Sequence, residues 1–404
     1  MTDNLVRAAR VRRFAAAACM LVLAAPARGE DAASGDTVAA AGAQPFQFES
    51  ADGRYGLSFG ARLQYDISDY RDDDGINMGS GPNVRRARIT ADATLPHDWA
   101  AKLAYDFSRD GTEGFRDVYL RYGGLDSTRI TGGHFKEPFG MERLTSVRDL
   151  AFLERSLVSL LTPPRMAGVE VHHRGDTWTA AAGAFGKGLE GGGTNVGRGL
   201  SGRATFAPMQ DPGRILHVGA GIAHRWTGSN DEVRFRQRPE SRTTDVRLVD
   251  TRTVRADAFT YYGAELAGAR GPLSFQAEYI LAQVDRGAYG EDLRFHGWYV
   301  QGSWFITGEP QVYDGEKATF GRMRPARSIG GGPGAWQLGV RFSRLDLTDR
   351  DIDGGRESNQ TYAVSWYLNP VWRLIVEYIR TDIDGGRFDG AQPKILQGRI
   401  QLAY

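Results

Sequence analysis

The chain has little cysteine, little lysine and no long apolar run. Its single cysteine, Cys19, lies within the first 27 residues, so the rest of the chain forms neither disulfides nor a thiolate metal site. No apolar stretch after residue 27 reaches the ~20 residues that a membrane-spanning helix needs. Lysine supplies only five of the 50 basic residues, so the positive charge is almost all arginine, which binds oxyanions through a planar fork of donors. Codon bias in a GC-rich genome would produce the same excess of arginine.

Residues 1–27 have the layout of an export signal. Four arginines precede a short apolar core at 14–25, and Ala25-Pro26-Ala27 supplies small residues for cleavage. Removing this segment moves the formal net charge from +1 to −2, so net charge does not explain a preference for anions. We expect export, cleavage and insertion into the outer membrane of a Gram-negative cell. Residues 28–54 are rich in small and polar residues and predict a flexible periplasmic leader.

From residue 55 onward, short runs of alternating apolar and polar residues are separated by turn residues. The final run, KILQGRIQLAY at 394–404, places apolar residues on one parity and polar residues on the other, and it ends on an aromatic residue. Because an arginine at the lipid midplane costs ~2–4 kcal/mol, the polar parity must face a lumen. The sequence predicts an all-β fold, a transmembrane antiparallel β-barrel of about 16 strands over 55–404. A soluble barrel or propeller is the alternative, although no blade-length repeat is present.

The connections between these runs alternate between short and long. Barrels in bacterial outer membranes have short periplasmic turns and longer outer loops, which places the long connections outside the cell. Residues 349–358 are predicted to be one of these outer loops. The segment 308–334 is long although it falls on the periplasmic side. It is either a disordered turn or a segment that folds into the lumen with its basic side chains.

The longest outer connections carry the clearest chemistry. Residues 136–164 contain leucines and valines at helical spacing, which would be exposed to water if the loop stood outside the barrel. We therefore predict an inward-folded constriction loop. The opening of the second strand, Arg85-Arg86-Ala87-Arg88, and Arg62 on the first strand bring arginines towards the lumen. Arg85 has lipid parity and reaches the lumen only if the strand starts after it or contains a bulge.

A group of guanidinium side chains beside a hydroxyl is suited to a partly dehydrated oxyanion, because charge-assisted hydrogen bonds offset the cost of desolvation. The alternative is an ordinary charged wall in which arginines pair with aspartates. The spacing of Asp349, Asp351 and Asp353 resembles the start of a calcium loop, but position twelve is Gln360, and these residues are also common in turns. We expect no metal, no cofactor and no enzymatic activity, since no set of catalytic residues stands out.

Several stretches resemble the phosphate-selective porin O and P family. The most specific are FKEPF at 135–139, RPARS at 324–328 and GAWQLGVRFS at 334–343, and the resemblance extends over about residues 55–404. It implies a sixteen-stranded trimeric barrel with an arginine-lined anion pathway. It also implies an inward loop and a basic segment that enters from the periplasm.

The same resemblance implies the positions that bind phosphate at the narrowest part of the pore. They are an arginine of the first strand, an Arg-Arg pair, an aspartate of the fourth strand, and a basic residue and serines of the constriction loop. The matching residues here are Arg62, Arg85, Arg86, Asp117, Arg143 and Ser146. Val147 stands where a second serine is expected, and Arg143 stands where the family has a lysine.

These observations predict a passive anion channel, selective for phosphate or polyphosphate, that contacts outer-membrane lipid, forms a homotrimer and has no nucleic-acid partner. The first alternative is a general diffusion porin without a phosphate site. A lipid hydrolase is another, although no nucleophile and base face the lipid. The last alternative is a receptor or adhesin that uses the loop at 228–256.

Overall fold

A computed structural model of the protein describes residues 46–72, 75–189 and 196–404. The predicted signal at 1–27 lies outside the described residues, as does most of the predicted leader. Sixteen strands form the barrel: β1 (Gly56–Arg71), β2 (Gly81–Leu95), β3 (Trp99–Asp106), β4 (Phe115–Leu125), β5 (Thr128–Lys136), β6 (Arg165–Arg174), β7 (Trp178–Phe185), β8 (Val196–Asp211), β9 (Arg214–Thr227), β10 (Ala258–Arg270), β11 (Leu273–Asp285), β12 (Leu293–Phe305), β13 (Ala335–Asp349), β14 (Ile352–Tyr367), β15 (Trp372–Asp384) and β16 (Lys394–Ala403).

The barrel is closed because β1 pairs with both β2 and β16. Arg62 lies opposite Arg88 on one side and opposite Ala403 on the other, and every neighbouring pair is antiparallel. The prediction of an all-β, sixteen-stranded antiparallel barrel is confirmed. In the part of the chain that the structure describes, no helix combines the length and the apolar character needed to cross a bilayer.

The remaining elements are short. One α-helical turn, α1, spans Met141–Leu144, and four 3-10 helices lie at Gly111–Gly114, Leu157–Leu161, Gly287–Tyr289 and Gly386–Phe388. Short strands lie at Gln47–Glu49, Glu232–Val233, Arg236–Gln237, Val249–Asp250, Val254–Arg255, Tyr313–Asp314 and Thr319–Phe320. The first of these belongs to the predicted leader and pairs with the start of β1, where it satisfies backbone groups of that strand. This pairing could not be predicted, because the surrounding residues lack alternation.

The two faces of each strand differ in polarity as predicted. On β16, Leu396 and Ile400 are about half exposed, at 48% and 49%, whereas Gln397, Arg399 and Gln401 are buried. Exposed apolar side chains on the outside and buried polar side chains on the inside are the pattern of a barrel in lipid. The lumen is therefore where charge gathers.

The loop between β5 and β6, residues 137–164, crosses the lumen. Arg373 donates to the carbonyl oxygen of Leu150 at 2.6 Å, and Arg399 donates to that of Leu153 at 2.5 Å. These arginines belong to β15 and β16, far around the wall from the strands that carry the loop. Leu153 is fully buried, so the loop satisfies both its polar and its apolar groups inside the barrel. The inward-folded constriction loop has the predicted form.

The loop between β9 and β10, residues 228–257, also folds inward, on the extracellular side of the constriction loop. Its anchor is Glu240, which accepts hydrogen bonds from Arg341 at 2.6 Å and Ser343 at 2.6 Å on β13. Ser241 contacts the Tyr70 hydroxyl of β1 at 2.6 Å. The tip of this loop is thus buried within the barrel mouth, which leaves less exposed surface for the receptor alternative.

The long periplasmic segment, residues 306–334, enters the lumen beneath the constriction loop. The hydroxyl of Tyr313 contacts His217 Nδ1 at 2.7 Å, and Arg203 donates to the carbonyl oxygen of Ala318 at 2.8 Å. Phe320 packs in one apolar cluster with Met141 of the constriction loop. Of the two sequence alternatives, the structure therefore matches the segment folded into the lumen.

Candidate functional site

A bulge in β2 turns two consecutive arginines into the lumen. Gln64 of β1 pairs with Arg86, whereas the next residue of β1, Tyr65, pairs with Val84, so Arg85 has no partner in the register. An extra residue of this kind changes the direction in which the neighbouring side chains point without ending the strand. Arg85 reaches the lumen for this reason, although the plain alternation gave it lipid parity.

The arginine pair meets a carboxylate that the sequence analysis missed. Glu154, at the middle of the constriction loop, accepts two hydrogen bonds from Arg85 at 2.8 and 3.0 Å and another from Arg399 at 2.8 Å. Arg86 lies 3.4 Å from the same carboxylate and donates to Gln64 Oε1 at 2.6 Å. Glu154 therefore holds both arginines in place but cancels only one of their two charges, since Arg399 has Asp66 as its own counter-ion. The available signal was that Glu154 is the only acid in the apolar stretch from Leu150 to Leu161.

Burial alone would raise the pKa of Glu154, but the opposite charges of Arg85, Arg86 and Arg399 outweigh it and hold the pKa well below its usual range. Glu154 is thus ionised at neutral pH and joins the loop to both β2 and β16. Nearby, burial raises the pKa of Glu142, against the effects of Arg341 and of a hydrogen bond from Ser156. The constriction loop is thus held in place by contacts of Glu154 and Glu142.

Arg62 and Ser146 come together at the start of the constriction. The Arg62 guanidinium donates to the Ser146 hydroxyl across a long 3.4 Å contact. Arg88 and Arg148 lie close enough to act on Arg62 electrostatically, and so do the acids Asp149 and Asp106. Arg62 therefore faces the lumen with its charge uncompensated by a direct ion pair among the described residues.

Asp117 takes part in a different contact. Arg165 of β6 donates to both of its carboxylate oxygens, at 2.9 and 3.2 Å. Arg88 donates one hydrogen bond to Asp106, at 2.9 Å. These pairs fit the alternative of an ordinary charged wall. Asp117 acts here as the partner that positions Arg165.

Two further basic groups surround the same turn of the loop. Lys136 donates to the carbonyl oxygens of Leu144 at 3.0 Å and Thr145 at 3.2 Å. Arg155 also donates to the carbonyl of Thr145, at 2.7 Å. Within residues 46–72, 75–189 and 196–404, neither group lies within 4 Å of a carboxylate. Arg143, on α1, acts electrostatically on Lys136.

We call this group the basic cluster: Arg62, Lys136, Arg143 and Arg155, gathered around residues 143–146. Sequence reasoning found Arg62, Arg143 and Ser146 but not Lys136 or Arg155. Lys136 lies in the FKEPF stretch, and this resemblance to the family could have identified it as a site residue. No feature of the sequence could have identified Arg155, because its contacts depend on how the loop folds back on itself.

A pocket open to solvent lies between the constriction loop and the segment at 306–334. Its lining includes Arg148 and Asp149 from the loop, Arg322 from the periplasmic segment and Arg373 from β15. Arg322 donates to the carbonyl oxygens of Pro370 and Ala403 at 2.5 and 2.9 Å. Polar and basic groups thus continue from the basic cluster towards the periplasmic opening.

The acidic outer turn shows ordinary structural contacts. Asp351 pairs with Arg286 at 2.6 Å, and Asp353 accepts a hydrogen bond from the backbone of Gly386 at 2.9 Å. In the described part of the chain, no group of three or more His, Cys, Asp or Glu residues is arranged to hold a metal ion.

Comparison with known proteins adds the following findings. A family model described as "Phosphate-selective porin O and P" matches residues 57–404. Porin O of Pseudomonas aeruginosa is 25% identical over 381 residues, which cover 83% of this chain and 85% of that protein. An uncharacterized protein of Caulobacter vibrioides is 29% identical over 367 residues, which cover 86% of this chain and 71% of the relative.

Solved structures share the architecture at much lower identity. The anion-selective porin from Comamonas acidovorans superposes with a TM-score of 0.58 at 11% identity, over 87% of this chain and 100% of that one. OmpT of Vibrio cholerae gives a TM-score of 0.56 at 11% identity, over 87% of this chain and 98% of its own. At such identities the likeness establishes the fold alone.

Proposed function

Because this chain belongs to the phosphate-selective porin O and P family, we propose that it conducts small anions, phosphate among them, passively across the outer membrane. The family and the fold are those of outer-membrane channel proteins. The observation that carries the anion preference is that Arg62, Lys136 and Arg155 stand at the constriction with no direct ion pair among the described residues.

Three contacts support this reading. Arg62 reaches only a hydroxyl, and Lys136 and Arg155 reach only backbone carbonyls, so none of these three charges is cancelled by a direct ion pair in the described chain. In a narrow lumen of low dielectric, such charges attract anions and repel cations over several ångströms. A permeating anion would exchange part of its hydration for these donors.

We assign the binding of a phosphate oxygen to Arg62 and Ser146, supported by the contact in which the wall strand β1 and the constriction loop meet. Their mutual contact, at 3.4 Å, is weak and can give way to a ligand. Arg143 adds charge nearby. Binding of this kind must stay loose, since conduction requires release as well as entry.

Arg85, Arg86 and Asp117 take a different part in this proposal. Their ion pairs with Glu154 and Arg165 support a role in holding the constriction loop and the wall rather than in contacting the anion. The same pairs favour the second candidate function, a general diffusion porin without a phosphate site. The two candidates differ in whether phosphate binds saturably.

We also propose that the channel is a homotrimer. One structure of OmpT of Vibrio cholerae is described as a trimer form, at a TM-score of 0.54 over 87% of this chain. Chemical cross-linking in intact outer membranes tests this point. Trimeric products would support the proposal, and products no larger than a monomer would contradict it.

The test for phosphate is block of chloride current in planar bilayers. Phosphate should reduce the single-channel chloride current saturably. Arg62→Gln should raise the half-blocking concentration about tenfold, equivalent to ~1.4 kcal/mol, because a charge-assisted hydrogen bond is lost. Arg387→Gln, at an exposed outer turn, removes the same charge outside the lumen and should leave the block unchanged. Unsaturable block in the wild type would favour the general porin.

A further inference from the structure

The pocket between the constriction loop and the segment at 306–334 has one wall of neutral hydrogen-bonding groups. Strands β11, β12 and β13 turn uncharged polar side chains into it near their periplasmic ends; these are Ser274, Gln276, Gln301, Ser303 and Gln337. We call this set the amide wall. It differs from the rest of the lumen, where arginines and acids predominate.

The members of the amide wall contact one another but leave hydrogen-bonding capacity unused. The hydroxyls of Ser274 and Ser303 lie 2.8 Å apart, and Gln337 donates to the Ser303 hydroxyl at 3.0 Å. Gln301 donates to Gln276 Oε1 only across a long 3.4 Å contact, and Gln301 Oε1 has no hydrogen-bond partner among the described residues. Because Gln301 is only 9% exposed, this acceptor is buried, and a hydroxyl that enters the pocket can donate to it.

The other side of the pocket is positively charged. Arg148 of the constriction loop and Arg322 of the periplasmic segment both line it, close enough for electrostatic repulsion between them. Arg148 meets Asp149 only through Nε, at 3.2 Å, and Arg322 uses one terminal nitrogen on backbone carbonyls. The other terminal nitrogens have no hydrogen bond in the described part of the chain. Asp149 is the only acid among the lining residues, whereas Arg373 brings the lining arginines to three.

Aromatic and apolar side chains complete the lining. Phe305 and Tyr367 have ring centroids 5.9 Å apart, and Met323 packs in the same cluster. The Tyr367 hydroxyl donates to Gln337 Oε1 at 3.0 Å, which joins the aromatic part of the pocket to the amide wall. The C–H groups of a sugar ring would be removed from water on such a surface while its hydroxyls kept hydrogen-bond partners.

These three parts match a phosphate ester of a sugar better than they match inorganic phosphate. Inorganic phosphate would use the arginines and leave the amide wall and the aromatic rings unused. A neutral sugar would use the amide wall and leave the arginines without a counter-ion. An ester carries an anionic group suited to guanidinium donors at one end and hydroxyls on a partly apolar ring at the other.

We propose that this pocket binds phosphate esters of sugars, with the phosphate on Arg148 and Arg322 and the sugar hydroxyls on Gln301 and Gln337. The proposal rests on the passive anion conduction proposed above and names a substrate class for the same channel. Arg373 adds charge, although its own donors are used by backbone carbonyls of the constriction loop. An ester that has passed the constriction would meet this pocket before it reaches the periplasm.

The test compares block of the chloride current by glucose-6-phosphate and by methyl phosphate, each added on the periplasmic side of a planar bilayer. Both compounds are phosphate monoesters, but only the glucose ester has free sugar hydroxyls. In the wild type, glucose-6-phosphate should block saturably, at an about tenfold lower concentration than methyl phosphate. Gln301→Met/Gln337→Met should raise its half-blocking concentration about tenfold and leave that of methyl phosphate unchanged, because only hydrogen bonds to hydroxyls are lost.

The matched control is Gln283→Met/Gln360→Met. Gln283 and Gln360 share the strand parity of the exposed Tyr279 and Tyr362, so this variant removes two amides from the outer face of the barrel and should leave both kinds of block unchanged. Both double variants exchange neutral side chains, and wild-type chloride conductance confirms that they fold.

Equal block of the wild type by the two esters would overturn the proposal, as would equal effects of the two double variants on glucose-6-phosphate. Inorganic phosphate then shows how far the failure extends. Saturable block by inorganic phosphate would leave the proposed function intact and remove only the sugar-ester pocket. Absence of saturable block by all three compounds would overturn the phosphate-binding function as well.

Discussion

At the scale of single residues, Glu154 decides which arginines are available to an anion. The sequence identified the arginine pair at 85–86 but could not identify its partner, because the partner lies 68 and 69 residues further along the chain. Arg62 and Ser146 were predicted together and do lie together, 84 residues apart. The family resemblance supplied that pairing. Alternation alone predicts on which face of a strand a side chain lies. It does not predict which residue that side chain contacts.

Removal of the Glu154 charge should destabilise the barrel. Glu154→Gln leaves Arg85 and Arg86 buried without their counter-ion, whereas Arg399 keeps its pair with Asp66. Breaking a buried ion pair costs ~3–5 kcal/mol. We expect a lower thermal unfolding temperature in detergent, measured by the loss of strand signal in circular dichroism. Glu291→Gln is the control, since it breaks only an exposed pair with Arg350, worth ~0–1 kcal/mol. Equal shifts in the two variants would contradict this role for Glu154.

The difference between the wild type and Glu154→Gln should also depend on pH. The pKa of Glu154 is depressed in the folded state, so its stabilising effect is fully present above the unfolded value of ~4.3 and is lost as pH falls through the folded value. Unfolding temperatures measured from pH 8 downwards should differ by a constant amount to about pH 5. The difference should shrink only below about pH 4. A difference that disappears between pH 7 and 5 would rule out the depressed pKa.

At the scale of elements, the alternating pattern predicted all sixteen barrel strands, and the main miss was an outer loop. Residues 349–358 were expected to be irregular, but β13 and β14 continue through them to a two-residue turn at Arg350 and Asp351. Asp and Gly residues are frequent in turns, so the sequence indicated a loop. Cross-strand contacts such as Arg356 with Asp346, at 3.0 Å, extend the hairpin above the membrane instead.

The inward fold of the loop at 228–257 could not be predicted, because one acid anchors it to strands 101 to 121 residues away. Glu240 accepts hydrogen bonds from Arg341, Ser343 and Thr361 and from the backbone of Leu157 in the constriction loop. It therefore joins both inward loops to the wall. No periodic pattern in the sequence of this loop identifies Glu240 as the anchor.

Substitution at this anchor should loosen both loops. Glu240→Ala removes the acceptor of four hydrogen bonds, so we expect a larger mean single-channel conductance and more frequent fluctuations of the open current. Glu232→Ala is a suitable control, because Glu232 is an exposed acid in the same loop. Planar bilayer recordings compare the two. An unchanged conductance and noise in Glu240→Ala would show that the second loop does not depend on this anchor.

At the scale of the whole molecule, the distribution of charge matters more than its sum. The chain after residue 27 has a net charge of −2, yet around one turn of the constriction loop Arg62, Lys136 and Arg155 have no direct ion pair within the described part of the chain. The sequence predicted the barrel, its closure and its inward loop, because alternation and connection lengths are properties of the whole chain. It did not predict which charges cancel, since that depends on contacts across the lumen.

The reversal potential of the open channel in a KCl gradient tests the central claim most directly. With tenfold more KCl on one side of a planar bilayer, the equilibrium potentials of chloride and potassium have opposite signs. If the charges of Arg62, Lys136 and Arg155 at the constriction select anions, the current should reverse close to the chloride equilibrium potential. Reversal near zero, or towards the potassium potential, would contradict the account.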